Sequence, residues 1–184
     1  MMNKIFYKHY VFLEELNTLL KKNLLKFKNL NIIINIEQND RKNLEKQNCI
    51  IQFAKKNKIP FMFKNSFQKC TKHNACGIFI DSKNKKITKP QLLKKNFAVI
   101  GSAHNQLEYI QKLNQGCSMI MLSPIFYNPK FSHNKILNII KFNLISKNWK
   151  IKIGALGGVM YKEKNFKKVN LSKAMSIGFS RFCG

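Results

Sequence analysis

The chain has 184 residues, enough for one domain with a buried core, and 45% of them are hydrophobic, which excludes a disordered, charge-dominated polypeptide. Its formal net charge is +26, carried almost entirely by lysine, since Arg41 and Arg181 are the only arginines. No run reaches the roughly 18 apolar residues of a membrane span, and Met1–Leu16 lacks the long apolar stretch of a signal peptide.

Short apolar runs alternate with longer lysine-bearing segments of helical period. Tyr10–Leu13 predicts the first strand, and Leu16–Phe27 a helix with Leu16, Leu19, Leu20, Leu24 and Phe27 on one face. Asn31–Ile36 predicts the second strand and Leu44–Lys56 the second helix. Pro60–Phe63, Gly77–Ile80 and Ala98–Ser102 are the next strands, with short helical pieces at Ser66–Ala75 and Thr88–Asn96 between them. Asn105 caps a helix running to Leu113. Met119–Leu122, a helix over Asn134–Ile145, Lys152–Leu156 and Gly178–Phe182 complete the order. Buried parallel strands read this way, as brief apolar runs without alternation.

Strict strand–helix alternation gives a parallel sheet with right-handed crossovers, and eight such units close into a barrel. The expected fold is therefore α/β: a compact (β/α)8 TIM barrel over 1–184, lacking the final outer helix because the chain stops just after the eighth strand. An open doubly wound sheet is the competing architecture, but no GxGxxG loop follows the first strand. Phe179 and Phe182, at the apolar end of the last strand, are either buried in the barrel or covered by a second copy in a homodimer.

The five cysteines, Cys49, Cys70, Cys76, Cys117 and Cys183, form no CxxC pair. They read as reduced thiols of a cytoplasmic protein. No nucleophile–histidine–acid set is legible, so no catalytic residue is assigned, and no His/Cys/Asp/Glu cluster has metal-ligand spacing. His104 reads as a structural residue at the start of a helix.

In a (β/α)8 barrel the site lies at the C-terminal ends of the strands. The residues there are Gly101–Asn105 after strand five, Ser123–Lys130 after strand six, Gly157-Gly158 after strand seven and Cys183-Gly184 after strand eight. A Gly-Gly pair lets a phosphate approach the backbone, and a tight turn explains it equally well.

The segments Ile100–Asn105, Gly116–Phe126, Ala155–Val159 and Ile177–Ser180 together resemble, in order and spacing, the second half of the thiamine phosphate synthases and their thiazole tautomerase (TenI-like) relatives. The likeness covers Gly77–Gly184; residues 1–76 share only the strand–helix rhythm. The resemblance implies a transferase of thiamine biosynthesis that joins a hydroxymethylpyrimidine diphosphate to a thiazole phosphate. Diphosphate leaves the pyrimidine methylene, a stabilised carbocation forms, and the thiazole nitrogen attacks it. Mg²⁺ and basic residues neutralise the departing group.

Carried across by position, the resemblance assigns Ser102 to the pyrimidine side and Gly158, with Gly157, to thiazole phosphate. Backbone N–H groups of Phe182 and Cys183 would complete the phosphate cradle. Asn128 replaces a family threonine, and Lys130 lies one position early for the family lysine. The first half departs from the pattern. Asn35 stands at the start of the family's Q-x-R-E-K stretch, whose arginine and lysine become Glu37 and Asn39. The Asn-Asp pair after strand three becomes Lys64-Asn65, and the carboxylate after strand four becomes Asn84. Both Mg²⁺-binding aspartates are thus amides, with Asp81 three residues from the expected place. Lys64 either reaches a diphosphate where Mg²⁺ would sit or is a solvated strand-end lysine. The tautomerase histidine position holds Pro124.

Three readings follow. One is a thiamine phosphate synthase-like transferase with a degraded Mg²⁺–diphosphate site. Another is a non-catalytic or repurposed member binding a thiazole or pyrimidine phosphate. The last is a lysine-rich nucleic-acid binder, using aromatics among lysines at Phe6–Tyr10 and Phe126–Phe131. The last is disfavoured, because the lysines are spread over every predicted helix and loop and no RNA- or DNA-binding signature is present.

Overall fold

The computed structural model describes residues 8–86, 96–127, 136–159, 168–169 and 172–179. Eight strands close into one parallel barrel in sequence order, β1 pairing with both β2 and β8. The strands are β1 Lys8–Leu13, β2 Leu30–Ile34, β3 Phe61–Lys64, β4 Gly77–Ile80, β5 Ala98–Ala103, β6 Met119–Leu122, β7 Lys152–Leu156 and β8 Ser176–Phe179. Five helices are described: α1 Thr18–Leu24, α2 Arg41–Lys56, α3 Phe67–His73, α4 Gln106–Asn114 and α5 Asn138–Ser146. The helix expected over Thr88–Asn96 lies almost wholly outside the described residues. No described helix is long and apolar enough to cross a membrane.

Caps set the helix ends. Asn17 Oδ1 accepts from Leu20 N at 2.8 Å, so α1 begins after Leu16 rather than at it. Asp40 accepts from Asn43 N at 3.0 Å and starts α2 three residues before the expected Leu44. Helix α5 begins at Asn138, later than the expected Asn134, with no side-chain hydrogen bond from its N-cap Leu137; Asn138 Oδ1, within the first turn, accepts from Lys141 N at 3.1 Å. Strand β8 begins at Ser176 because Gly154 of β7 pairs with it there; Ser180–Phe182 of the expected strand lie outside the described residues.

Two apolar layers lie on either side of the sheet. Tyr10, Ile33, Met62, Phe79, Ile100, Met119 and Met121 fill the barrel interior, with Phe12 edge-on to Phe79 at 4.9 Å between centroids. Ile32, Ile34, Phe63, Ile78, Ile80, Ile120 and Leu122 point outward, packing with Leu24, Ile50, Ala54, Tyr109 and Phe142. Phe179 is buried, but in this outer layer: its ring lies 5.4 Å from that of Phe27. Tyr10 is an interior residue, not a stacking platform.

Candidate functional site

Side chains alternate across a strand, so two residues beyond an inward one points inward again. The interior series Ile33, Met62, Phe79, Ile100 and Met121 therefore continues at the C-terminal strand ends as Asn35, Lys64, Asp81, Ser102 and Ser123. Three of these carry sequence-based assignments: Asn35, Lys64 and Ser102. They surround one mouth, the end of the barrel where such folds place their chemistry.

On the β2–β4 side Lys64 is the centre of an ion triad. Its Nζ lies 2.7 Å from Glu37 Oε1 and 3.3 Å from Asp81 Oδ2. The Lys64 and Asp81 side chains are only 20% and 22% exposed, so Lys64 is not a solvated strand-end lysine. Burial acts to lower the Lys64 pKa, but Glu37 and Asp81 outweigh it and hold the ammonium above its usual value. Burial likewise works against the Asp81 carboxylate. The Asn65 amide, the Asn84 N–H and Lys64 reverse that and keep it below the usual carboxyl range.

The two amides that the resemblance puts at carboxylate positions, Asn65 and Asn84, are used by the loops themselves. Asn65 sits at φ 55°, where its short polar side chain is tolerated, and its Oδ1 accepts from Asp81 N at 3.1 Å. Asn84 N donates to Asp81 Oδ1 at 2.9 Å, and Asn84 Oδ1 accepts from Lys86 N at 3.2 Å. The Asn84 carbonyl accepts from Lys112 Nζ at 2.8 Å and Gln115 Nε2 at 3.0 Å. Asn35 Nδ2 donates to Glu14 Oε1 at 2.6 Å, tying the ends of β1 and β2, and Lys69 Nζ donates to Ile36 O at 3.1 Å.

This donor set does not fit a resident Mg²⁺. The ion asks for carboxylate oxygens in a near-octahedral shell. Here Glu37 and Asp81 already share an ammonium, and the amide oxygens of Asn65 and Asn84 accept from backbone N–H groups. Among the described residues no three His, Cys, Asp or Glu side chains are placed to hold a metal ion.

The β5–β7 side is built differently. Ser102 is buried at the end of β5. His104 is a structural tie: Nδ1 lies 2.7 Å from Ser123 O and Nε2 3.2 Å from Ser82 Oγ, while its N–H donates to Glu108 at 2.7 Å. Gly157 and Gly158 have φ of +85° and +68°. They form a turn that docks on the loop after β6, through Ile125 N to Leu156 O at 3.0 Å and Phe126 N to Gly157 O at 3.2 Å. A Cβ on Gly158 would fall 2.4 Å from Tyr127 O. The tight-turn requirement for this pair is therefore real, whatever else its N–H groups serve. Asn128, Lys130, Phe182 and Cys183 lie outside the described residues.

Sequence reasoning missed Glu14 and Lys112. Glu14 is two residues beyond the inward Phe12, a signal available from alternation. Lys112 shares the buried stripe of α4 with Tyr109 and is fully buried, its Nζ also donating to Gln115 Oε1 at 2.7 Å. Burial lowers its pKa, opposed by the charges of Cys117, Asp81 and Glu108. Two surface depressions, of about 400 and 530 Å³, lie elsewhere. The first is at the opposite end of the barrel, by Lys8, Phe27, Lys58 and Pro60, and the second along the outside of α4, by Leu107 and Ile110.

Several known folds share this architecture. Thiamine phosphate pyrophosphorylase from Pyrococcus furiosus superposes with a TM-score of 0.72 at 14% identity, covering 94% of this chain and 85% of that one. The thiamine phosphate pyrophosphorylase of Bacteroides thetaiotaomicron gives 0.59 at 13% identity, covering 95% and 82%. An HpcH/HpaI aldolase from Desulfitobacterium hafniense gives 0.60 at 8% identity, covering 95% and 86%, so these likenesses establish the barrel rather than the chemistry. No curated protein sequence matches the chain. The TMP-TENI family model, thiamine monophosphate synthase, matches residues 12–181, nearly the whole barrel, and the chain therefore belongs to the thiamine monophosphate synthase family.

Proposed function

We propose that this family member binds a phosphorylated thiazole or pyrimidine at the C-terminal mouth and does not carry out efficient diphosphate displacement. The observation that carries the reading is the Glu37–Lys64–Asp81 triad, which stands at the strand ends where the family resemblance puts its metal and diphosphate. Departure of diphosphate demands positive charge that is free to follow the leaving group. Lys64 is already neutralised by two carboxylates, and a third, Glu14, is held nearby by Asn35. Ser102 on the pyrimidine side and the docked Gly157–Gly158 turn on the thiazole side support ligand binding.

A second reading, the working transferase, is favoured by the same lysine. Lys64 is a cation at the strand end where the family resemblance puts its metal, and binding energy from a substrate would have to pull it from its carboxylates. A turnover assay with hydroxymethylpyrimidine diphosphate, thiazole phosphate and Mg²⁺, run beside a direct binding measurement, decides between them. Measurable thiazole phosphate binding without product is the expected result. Sustained product formation would sink the binding-only reading, and failure to bind either ligand would sink both.

A further inference from the structure

The mismatch with a metal site has a positive counterpart. We propose that Lys64 is a built-in, displaceable cation in the mouth, anchoring the phosphate of a pyrimidine-side ligand without a divalent metal. Glu37 and Asp81 hold its ammonium when the mouth is empty. This rests on the reading that a phosphorylated ligand binds at this mouth.

Three observations lead here. The register of β3 and β4 brings Lys64 beside Phe79, so the residues after each strand, Asn65 and Asp81, meet across the gap. Lys64 Nζ is thereby set between carboxylates arriving from β2 and β4, the two strands that flank its own. The two holding carboxylates differ in kind. Asp81 is fixed by the Asn84 N–H and its own N–H is fixed by Asn65. Glu37 is 58% exposed and, among the described residues, is held through its side-chain charge contacts, so it is the partner that yields. An incoming phosphate oxygen would replace the Glu37 carboxylate on Nζ while Asp81 stays in place. A charge-assisted N–H···O contact to carboxylate is then exchanged for one to phosphate, with no change in the number of contacts to the ammonium.

The test is calorimetric titration of hydroxymethylpyrimidine diphosphate, and separately of thiazole phosphate, into the full chain in EDTA and in millimolar Mg²⁺. Equal affinity for the pyrimidine ligand in both buffers is expected. Lys64→Met should weaken it roughly tenfold or more, the contribution of one hydrogen bond to a charged group. Glu37→Gln, which leaves the cation in place and removes its yielding partner, should tighten it by roughly two- to fivefold. Because Lys64→Met leaves Glu37 and Asp81 facing each other, the Lys64→Met/Glu37→Gln double variant serves if the single one does not fold. A requirement for Mg²⁺, unchanged affinity in the lysine variants, or weaker binding in Glu37→Gln would each overturn the proposal. Wild-type protein that binds thiazole phosphate but not the pyrimidine ligand would overturn it and leave the binding function standing; binding of neither ligand would remove both.

Discussion

Replacing Gly158 by alanine tests whether the turn after β7 is a structural necessity. The perturbation adds one methyl group at φ +68°, where a Cβ is strained, at a cost of about 1–2 kcal/mol. That methyl would lie 2.4 Å from Tyr127 O and 2.5 Å from both C and O of Phe126. These are backbone atoms, so no rotamer change relieves the clash; the loop after β6 must move. Overpacking of this kind adds about 1–3 kcal/mol. The expected total is about 2–5 kcal/mol, a large share of the roughly 5–15 kcal/mol that stabilises a typical domain. Moving the loop also strains the bonds from Ile125 N to Leu156 O and from Phe126 N to Gly157 O. Urea unfolding read by the fluorescence of the single tryptophan, the buried Trp149, measures the loss as a lower midpoint at constant slope. Gly157→Ala is expected to cost less, because its new Cβ would meet Ser123 Oγ and Pro124 at 2.9–3.0 Å rather than backbone carbonyls at 2.4–2.5 Å. A Gly158→Ala midpoint within experimental error of wild type would refute the argument.

Other outcomes follow from the same geometry. Asp81 has a folded pKa below its ordinary 3.8, so its stabilising contribution is present above that value and is lost as pH falls through the folded pKa. Asp81→Asn should flatten the acid limb of a stability–pH curve, and an unchanged limb would count against the triad. Lys64, with its pKa raised above 10.5, contributes fully below that value and loses its effect only as pH rises through the folded pKa. Among Cys49, Cys70, Cys76 and Cys117, mapped alkylation of the native protein should modify the exposed Cys49 first. Burial pushes the Cys70 and Cys117 thiols up to about 12, so equally fast labelling of either would contradict their burial. Asn105→Ala should cost about 1 kcal/mol, because Asn105 Oδ1 accepts from Glu108 N at 2.9 Å.

The barrel was legible because its strands are buried on both faces. Ile78, Phe79 and Ile80, or Met119 to Leu122, have no polar alternation to interpret, and short continuous apolar runs are what such strands must be. Element boundaries were less legible, and the reason is local. An apolar stripe marks the face a helix buries, whereas its end depends on which side chain caps it. Asn17 and Asp40 each moved an end by bonding a backbone N–H three residues on. In a chain this rich in asparagine, many residues are eligible caps, and tertiary packing selects among them.

The site was legible as a set of departures from a family pattern, but not as a structure. By the family resemblance alone, Glu37, Lys64, Asn65 and Asn84 each stand where a different residue is expected. What alignment by position cannot supply is that these changes compensate one another. An inward-facing lysine at a strand end requires carboxylates, and Glu37 and Asp81 provide them from flanking strands. The amides of Asn65 and Asn84 then accept the N–H groups that close the loops. The chain has only eight acidic residues, and three of them, Glu14, Glu37 and Asp81, gather at the ends of β1, β2 and β4. On a surface where lysine is everywhere, a lysine's position says little and a carboxylate's position says much. The triad closes on one inward-facing lysine, and it is why removal of the charge at Glu37 is the perturbation to which this mouth should respond.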